Sequence, residues 1–343
     1  MSLNGIASLA KSFIDQNMMS QFFPPKALFE PTRDIPDLTG QVALVTGGNC
    51  GAGYETCKHL LAKGARVYMA CRSAERGKTA AGILQKETGH TPEILELDLA
   101  DLKSVRKAAE VFMRREQVLH TLYNNAGAVW VPVDLLTVQG YDLAFGTNVL
   151  GHYFFTISLL PILRHTKDVT GRRPRIINTS SSAHVPSHGQ SGITWISLKD
   201  GPERQKVAPA IGAYCLYSQS KMGVIMLSNL LDRYHGADVV SIALNPGNFS
   251  SNAYRYVHGV QKLLTSLVLY SVSEGARTQL WAGTAPQEEF KGREYCIPWA
   301  RHGQCDPRAR DTSTQDKLWA WLEDTSRISE SPVCIAFLLL EIA

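Results

Sequence analysis

Val42-Ala43-Leu44-Val45-Thr46-Gly47-Gly48-Asn49-Cys50-Gly51-Ala52-Gly53 runs from an apolar stretch through a glycine-rich turn into a helix-forming segment that reaches 63 and closes at Gly64. An apolar run stopped by glycines reads as a strand buried on both faces, the pattern of a parallel sheet. Outward from it the chain keeps a steady beat. A strand over 66–71 is followed by a helix over 74–86, a strand over 93–97, a helix over 102–115 and a strand ending at Tyr123. A long helix is expected over 138–164, where only Gly140, Gly146, Gly151 and Pro161 could interrupt it. Then come a strand at 175–179, a helix at 214–234, a strand at 239–244 and a last strand at 294–297.

Strands alternating with helical crossovers give an α/β architecture: a Rossmann-type doubly wound parallel sheet of about seven strands, with helices on both faces. Right-handed crossovers leave a crevice at the carboxyl ends of the strands, where ligands bind. Residues 1–37 read as an N-terminal arm, a short helix and then the extended Pro24-Pro25. Residues 38–312 form a single domain with substrate loops near 182–212 and 248–272, and 313–343 a C-terminal helix and tail. The stretch 182–211 carries Pro186, Pro202 and Pro209 and reads as an inserted loop with little regular structure, one wall of a pocket.

Bulk properties narrow the function. The 343 residues are 44% hydrophobic and 8% aromatic, ordinary for a globular chain, with a formal charge of only +4. The densest basic run, 164–175, has no interleaved aromatic residue, so it reads as a solvated loop and no nucleic-acid partner is expected. The seven cysteines are scattered, with no C-x-x-C pair. That suggests reduced thiols in a cytoplasmic setting and no metal site. The sequon at Asn178 ends a buried strand and reads as chance. Residues 1–21 lack the continuous apolar core of a secretory signal. No run approaches the ~20 apolar residues of a membrane span. The arm is expected to pack on the chain's own surface, with an interfacial membrane anchor or a flap over a substrate mouth as the alternatives. For the apolar run 333–340, docking on the body, contact with a membrane surface and an interface between subunits stay open.

The glycine turn carries the first chemistry. A phosphate cannot approach a backbone that bears side chains, and Gly47, Gly51 and Gly53 stand where approach is closest. The helix that follows aims free N–H groups and its positive dipole end at the anion. After the second strand, Cys71-Arg72-Ser73 offers no carboxylate to accept a ribose 2′-hydroxyl, whereas Arg72 is a fork of donors suited to a 2′-phosphate. NADPH is therefore expected over NADH. Asp98 either holds the adenine or caps the next helix. Asn124-Asn125-Ala126-Gly127, ending the fourth strand, lies against the ribose or ties strands together.

The second chemistry is Tyr217-Ser218-Gln219-Ser220-Lys221, a phenol and an ammonium one helical turn apart. A phenol with a pKa of about 10 is a poor relay at neutral pH until a nearby cation stabilises its phenolate. Among the cluster Ser180-Ser181-Ser182, Ser181 is placed beside Tyr217 to donate to an oxygen on which charge develops, with its two neighbours as competitors. Asn148, unfavourable inside a helix, is a further candidate facing the cleft.

With these residues in view, the chain resembles the single-domain short-chain dehydrogenases/reductases over roughly residues 38 to 300. T-G-x-x-x-G-x-G, N-N-A-G, Asn148-Val149-Leu150-Gly151-His152, the serine cluster, Y-x-x-x-K and Asn245-Pro246-Gly247 occur in the family's order. Ala70-Cys71-Arg72 and Ser181-Ser182-Ala183-His184 are similar to the retinol-dehydrogenase-like branch. Pro24-Pro25-Lys26 and Ile297-Pro298-Trp299-Ala300-Arg301 look like its fungal members. The resemblance implies Asn148 holding a proton-relay water, Ser181 polarising a carbonyl, Tyr217 as acid/base and Lys221 on the nicotinamide ribose. It also implies cofactor contacts from Gly47, Asn49, Gly51, Gly53, Arg72, Asp98, Asn125, Ala126, Gly127, Pro246, Gly247 and Ser251, the last where the family usually has threonine. Ala52 and Cys50 depart from the family's usual isoleucine and basic residue in the turn. Apolar residues from Tyr254 to Leu267 are spaced like one face of a helix, which core packing alone would also explain. The resemblance implies that this segment is a lid over the substrate, and an apolar lid suggests a lipophilic ketone, aldehyde or alcohol. A non-catalytic NADP(H)-binding sensor or scaffold is the rival, with the intact Ser181, Tyr217 and Lys221 against it.

Overall fold

The computed structural model describes residues 16–249 and 269–328. Ser251, the expected lid and the apolar run 333–340 lie outside them. Eight strands form one sheet: β1 (Val42–Thr46), β2 (Arg66–Cys71), β3 (Glu93–Glu96), β4 (Thr121–Asn124), β5 (Arg175–Thr179), β6 (Val240–Leu244), β7 (Tyr295–Ile297) and β8 (Arg301–Gly303). Their order is β3-β2-β1-β4-β5-β6-β7-β8. All neighbours run parallel except β7 and β8. Every residue of β1, β4, β5 and β6 is buried, and β1 accordingly reads as an apolar run rather than an alternating one.

The helices are α1 (Gln16–Phe22), α2 (Gly51–Ala62), α3 (Ala74–Thr88), α4 (Leu102–Arg115), α5 (Leu143–Ser158), α6 (Leu160–Thr170), α7 (Pro202–His235), α8 (Val272–Thr284) and α9 (Thr312–Ile328), beside one-turn pieces. One apolar core joins α4, α5, α7 and α9 to one face of the sheet; a second joins α2, α3 and α8 to the other. α4 shows the local rule plainly. Leu102, Val105, Ala108, Ala109 and Phe112 recur at helical spacing and are its buried stripe. The chain winds outward from β1 to β3, then restarts at β4 on the other side of β1. The crevice at that reversal receives the glycine turn after β1 and the loop after β4.

Two expectations need correction. The helix expected over 138–164 begins only at Leu143, because Gly140 turns at φ +77° and Asp142 caps the helix by accepting the Phe145 N–H. It then bends by 51° after Ser158, since Pro161 in the next first turn has no amide to offer the preceding turn. The loop expected over 182–211 is half helical: Pro202 starts α7, and a break at Gly212 (φ 79°, ψ 163°) separates that turn-forming part from the rest. An ion pair buried at 3.2 Å, Arg204 to Asp142, ties this early part of α7 to the start of α5. The expected sheet of about seven strands is present, with eight strands, the last of them antiparallel. The described part of the arm packs on the body: Gln21 Oε1 accepts from Asn245 Nδ2 at 2.9 Å, and Arg301 donates to Ser20 O at 2.9 Å. Among the described residues no single helix is long and apolar enough to cross a membrane.

Candidate active site

The turn after β1 is shaped by what it lacks. Gly47 (φ 67°) and Gly51 (φ 59°) sit in the left-handed region that favours glycine. A Cβ on Gly53 would stand 2.5 Å from Asn125 Nδ2 and closer still to Gly47 O. Cys50, at the N-cap of α2, gives its first turn no side-chain cap. Open helix amides facing a cradle without side chains fit a dinucleotide pyrophosphate.

Behind the cradle lies a neutral hydrogen-bond network. The Thr46 hydroxyl accepts from Asn125 N at 2.9 Å and Ala126 N at 3.0 Å. The His152 ring lies between Thr46 Oγ1 and Asn148 O, 3.0 Å from each. A carbonyl can only accept, so Nδ1 carries the proton and Nε2 accepts from Thr46. Burial holds His152 down at about 4, which keeps it neutral for that role. Asn125 donates to Thr46 O at 2.8 Å and accepts from Gln279 at 3.3 Å. Gln279, fully buried on α8, also reaches Ala52 O and Thr56 Oγ1 on α2, and its Oε1 accepts from Thr179 at 3.1 Å. It joins the cradle helix to β4 and β5.

Asn148 is not on a wet face. It is 1% exposed, in a π-turn inside α5, and its carboxamide grips Ala128 from both sides (Ala128 N–H to Oδ1 2.7 Å, Nδ2–H to Ala128 O 3.1 Å). It also donates to Ser220 Oγ at 2.9 Å, and Ser220 donates to Tyr217 O at 2.7 Å. The loop after β4 is thereby fixed against the turn of α7 that carries Tyr217 and Lys221. The Lys221 ammonium, 4% exposed, donates to Thr179 O at 2.8 Å and stands 5.7 Å from the centroid of the Tyr217 ring. Burial pulls its pKa from 10.5 down to about 7. Gly127 lies so near that a Cβ there would be 3.5 Å from Lys221 Nζ.

The serines separate. Ser180 is buried and donates to Lys221 O at 2.7 Å. Ser181 is half-buried; its Oγ accepts from Ala183 N at 3.1 Å, which leaves the hydroxyl proton uncommitted among the described residues. Its carbonyl accepts from the His184 ring at 2.6 Å, while the other ring nitrogen accepts from Asp306 N at 2.9 Å. Of the remaining candidates, Arg72 is exposed at the end of β2. Asp98 accepts from Ala100 N at 2.9 Å and does not cap α4; Asp101 does. Pro246 is buried, Asn245 Oδ1 accepts from Gly247 N at 3.0 Å, and Asn49 is half-buried in the turn.

A short-chain dehydrogenase/reductase of Armillaria gallica is 46% identical over 308 residues, spanning 90% of this chain and 96% of its own. This chain belongs to the short-chain dehydrogenase/reductase family. The family model described as short chain dehydrogenase matches residues 41–192. Mouse retinol dehydrogenase 12 is 33% identical over 82% of this short-chain dehydrogenase/reductase and 85% of its own chain. Among solved structures, an uncharacterized protein of Mycobacterium paratuberculosis is similar with a TM-score of 0.65 at 28% identity, covering 87% and 97% of the two chains. The chain is thus an oxidoreductase of a family acting on alcohols and ketones.

Of the residues that hold the site together, sequence reasoning missed Gln279. Gln279 carried a weak signal, a glutamine inside the apolar stripe of α8. The partners of Gln279, 100 to 227 residues away, carried none.

Proposed function

We propose that the chain is an NADP(H)-dependent oxidoreductase that interconverts a lipophilic ketone or aldehyde and its alcohol. The observation that carries this reading is the Tyr217–Lys221 pair on α7, set against Gly127 and Thr179 at the carboxyl edge of the sheet. Support for NADP(H) is the strand end Cys71-Arg72-Ser73, with an exposed guanidinium and no acid.

When bound, the dinucleotide supplies or accepts a hydride at its nicotinamide ring. Gly47, Asn49, Gly51 and Gly53 receive its pyrophosphate, Arg72 its 2′-phosphate and Asp98 its adenine. Asn125, Ala126, Gly127 and Lys221 would line the ribose, while Pro246 and Gly247 would flank the carboxamide. The Tyr217 hydroxyl gives its proton to the carbonyl oxygen during reduction and takes it back during oxidation. Ser181 Oγ–H donates to the same oxygen as negative charge gathers there. Lys221 stabilises the phenolate left behind, and Asn148 fixes the loop and helix turn that carry these groups and holds the relay water.

The test is NADPH oxidation across a panel of lipophilic ketones and aldehydes. Tyr217→Phe should lower turnover by at least about 10³-fold with NADPH binding kept; undiminished turnover would remove Tyr217 as the acid. Arg72→Asp should move the NADPH/NADH preference by about tenfold or more, the worth of one charge-assisted contact. An unmoved ratio would exclude Arg72 as the phosphate anchor.

A further inference from the structure

Beside the Tyr217–Lys221 pair stands a second feature that the reaction does not use. Trp130 has φ +47°, a conformation that a bulky side chain keeps only where its surroundings enforce it. The enforcing contacts lie on both sides. Asn148 clamps Ala128, and Arg204, held by Asp142, donates to Val133 O at 2.6 Å. The result is an edge-to-face contact between the Trp130 and Tyr214 rings, with centroids 5.5 Å apart and planes at 63°. Tyr214 precedes Tyr217 by three residues on α7, so the two share a helix face. Trp130 follows Gly127 by three, and Gly127 touches the space around Lys221 Nζ. Tyr214 nevertheless stays 40% exposed.

We propose that Trp130 and Tyr214 form an aromatic wall of the substrate site that selects flat, aromatic or conjugated carbonyl compounds over saturated ones of the same size. The proposal rests on the carbonyl/alcohol reading above and narrows its substrate class. Crossed rings leave a face and an edge for a third ring, and ring pairs prefer these offset and edge-on geometries. A saturated ring has no matching quadrupole and gains only from burial. A strained backbone at Trp130, lying between the anchored Ala128 and Val133, sets this side chain against Tyr214, one helical turn before Tyr217.

The probes are 2-acetylnaphthalene and 2-acetyldecahydronaphthalene, matched in carbon skeleton. Burial of apolar surface alone favours the saturated ketone, so the sign of the preference discriminates. Binding is measured by equilibrium dialysis with the oxidised dinucleotide present, so that neither ketone can be reduced. The wild type should bind the naphthyl ketone about three- to tenfold more tightly. Tyr214→Leu and Trp130→Gly, the latter compatible with the positive φ, should each abolish that preference, and Tyr214→Phe should keep it. Equal or reversed affinities in the wild type, or a preference that survives both truncations, overturn the proposal. Turnover of the two ketones with NADPH is scored separately. Binding preference without turnover sinks the carbonyl-reduction reading and leaves the aromatic wall standing.

Discussion

Lys221→Met isolates the electrostatic cost built into this site. Its ammonium is buried, and burial lowers its pKa from 10.5 to about 7. The unfolded chain therefore binds more protons than the folded one between those values, and stability rises with pH across that window. At about 1.4 kcal/mol per unit, the charge costs up to about 5 kcal/mol at pH 7 and below, and nothing above pH 10.5. Methionine keeps the stem but leaves Thr179 O without its donor, a loss of about 1–3 kcal/mol that does not vary with pH. Two terms of opposite sign make the offset between wild type and variant uninformative. The slope is informative, because Lys221 is the group removed and groups distant from it titrate alike in both proteins.

The measurement is urea denaturation of both proteins, free of nucleotide, at half-unit steps from pH 6 to pH 9.5. The stability of the wild type relative to the variant should be flat up to about pH 7. It should then move in favour of the wild type by about 3 kcal/mol by pH 9.5. A difference that stays level across the range, or that falls, would show that the lysine charge is solvated and that burial is not what perturbs it. Saturating dinucleotide should shrink the slope, since a bound anion restores the ammonium.

Two further outcomes follow from individual hydrogen bonds. Ser181→Ala should lower kcat by about 10²-fold with little change in stability. Ser180→Ala should instead cost about 1 kcal/mol of stability, because its hydroxyl is committed to Lys221 O; kinetic and thermal data in the reverse order would show the serine assignment to be wrong. His184→Phe removes both the donor to Ser181 O and the acceptor for Asp306 N, so kcat should fall while the KM for the dinucleotide holds. His184→Gln should recover part of the loss. Equal effects of Phe and Gln on kcat would remove His184 as a positioning residue.

The fold was legible where local sequence carries its own reason. α4 begins and ends where its apolar spacing and flanking residues say it should, and β1 is stopped by the glycines its ligand requires. The misread segments were set by distant partners. The start of α7 looked like loop because it carries prolines, yet Arg204 anchors it in a buried pair with Asp142, 62 residues earlier. β8 is three residues long and is a strand only because β7 lies beside it. The glycine turn and the tyrosine–lysine pair are short-range patterns and could be read directly. The choice between Ser180 and Ser181 could not be, since it turns on which hydroxyl meets the carbonyl of Lys221, 41 residues from Ser180.

Polarity around the site follows one physical logic. The groups that fix the cradle are Thr46, Asn125, Asn148, His152, Ser180 and Gln279, all neutral, with His152 kept so by burial. A carboxylate among them would pair with Lys221 and repel an entering pyrophosphate. Neutral amides and hydroxyls instead fix the geometry through hydrogen bonds whose partners are all within the protein. Lys221 is left with a backbone carbonyl as its acceptor and a pKa that burial pulls down to about 7. The guanidinium proposed to choose between the two nicotinamide cofactors, Arg72, sits instead at the exposed rim, where solvent screens it and a change of charge costs the fold little. On the proposed reading, affinity for the dinucleotide and choice between its two forms fall to residues in different dielectric surroundings, Lys221 in the core and Arg72 at the surface.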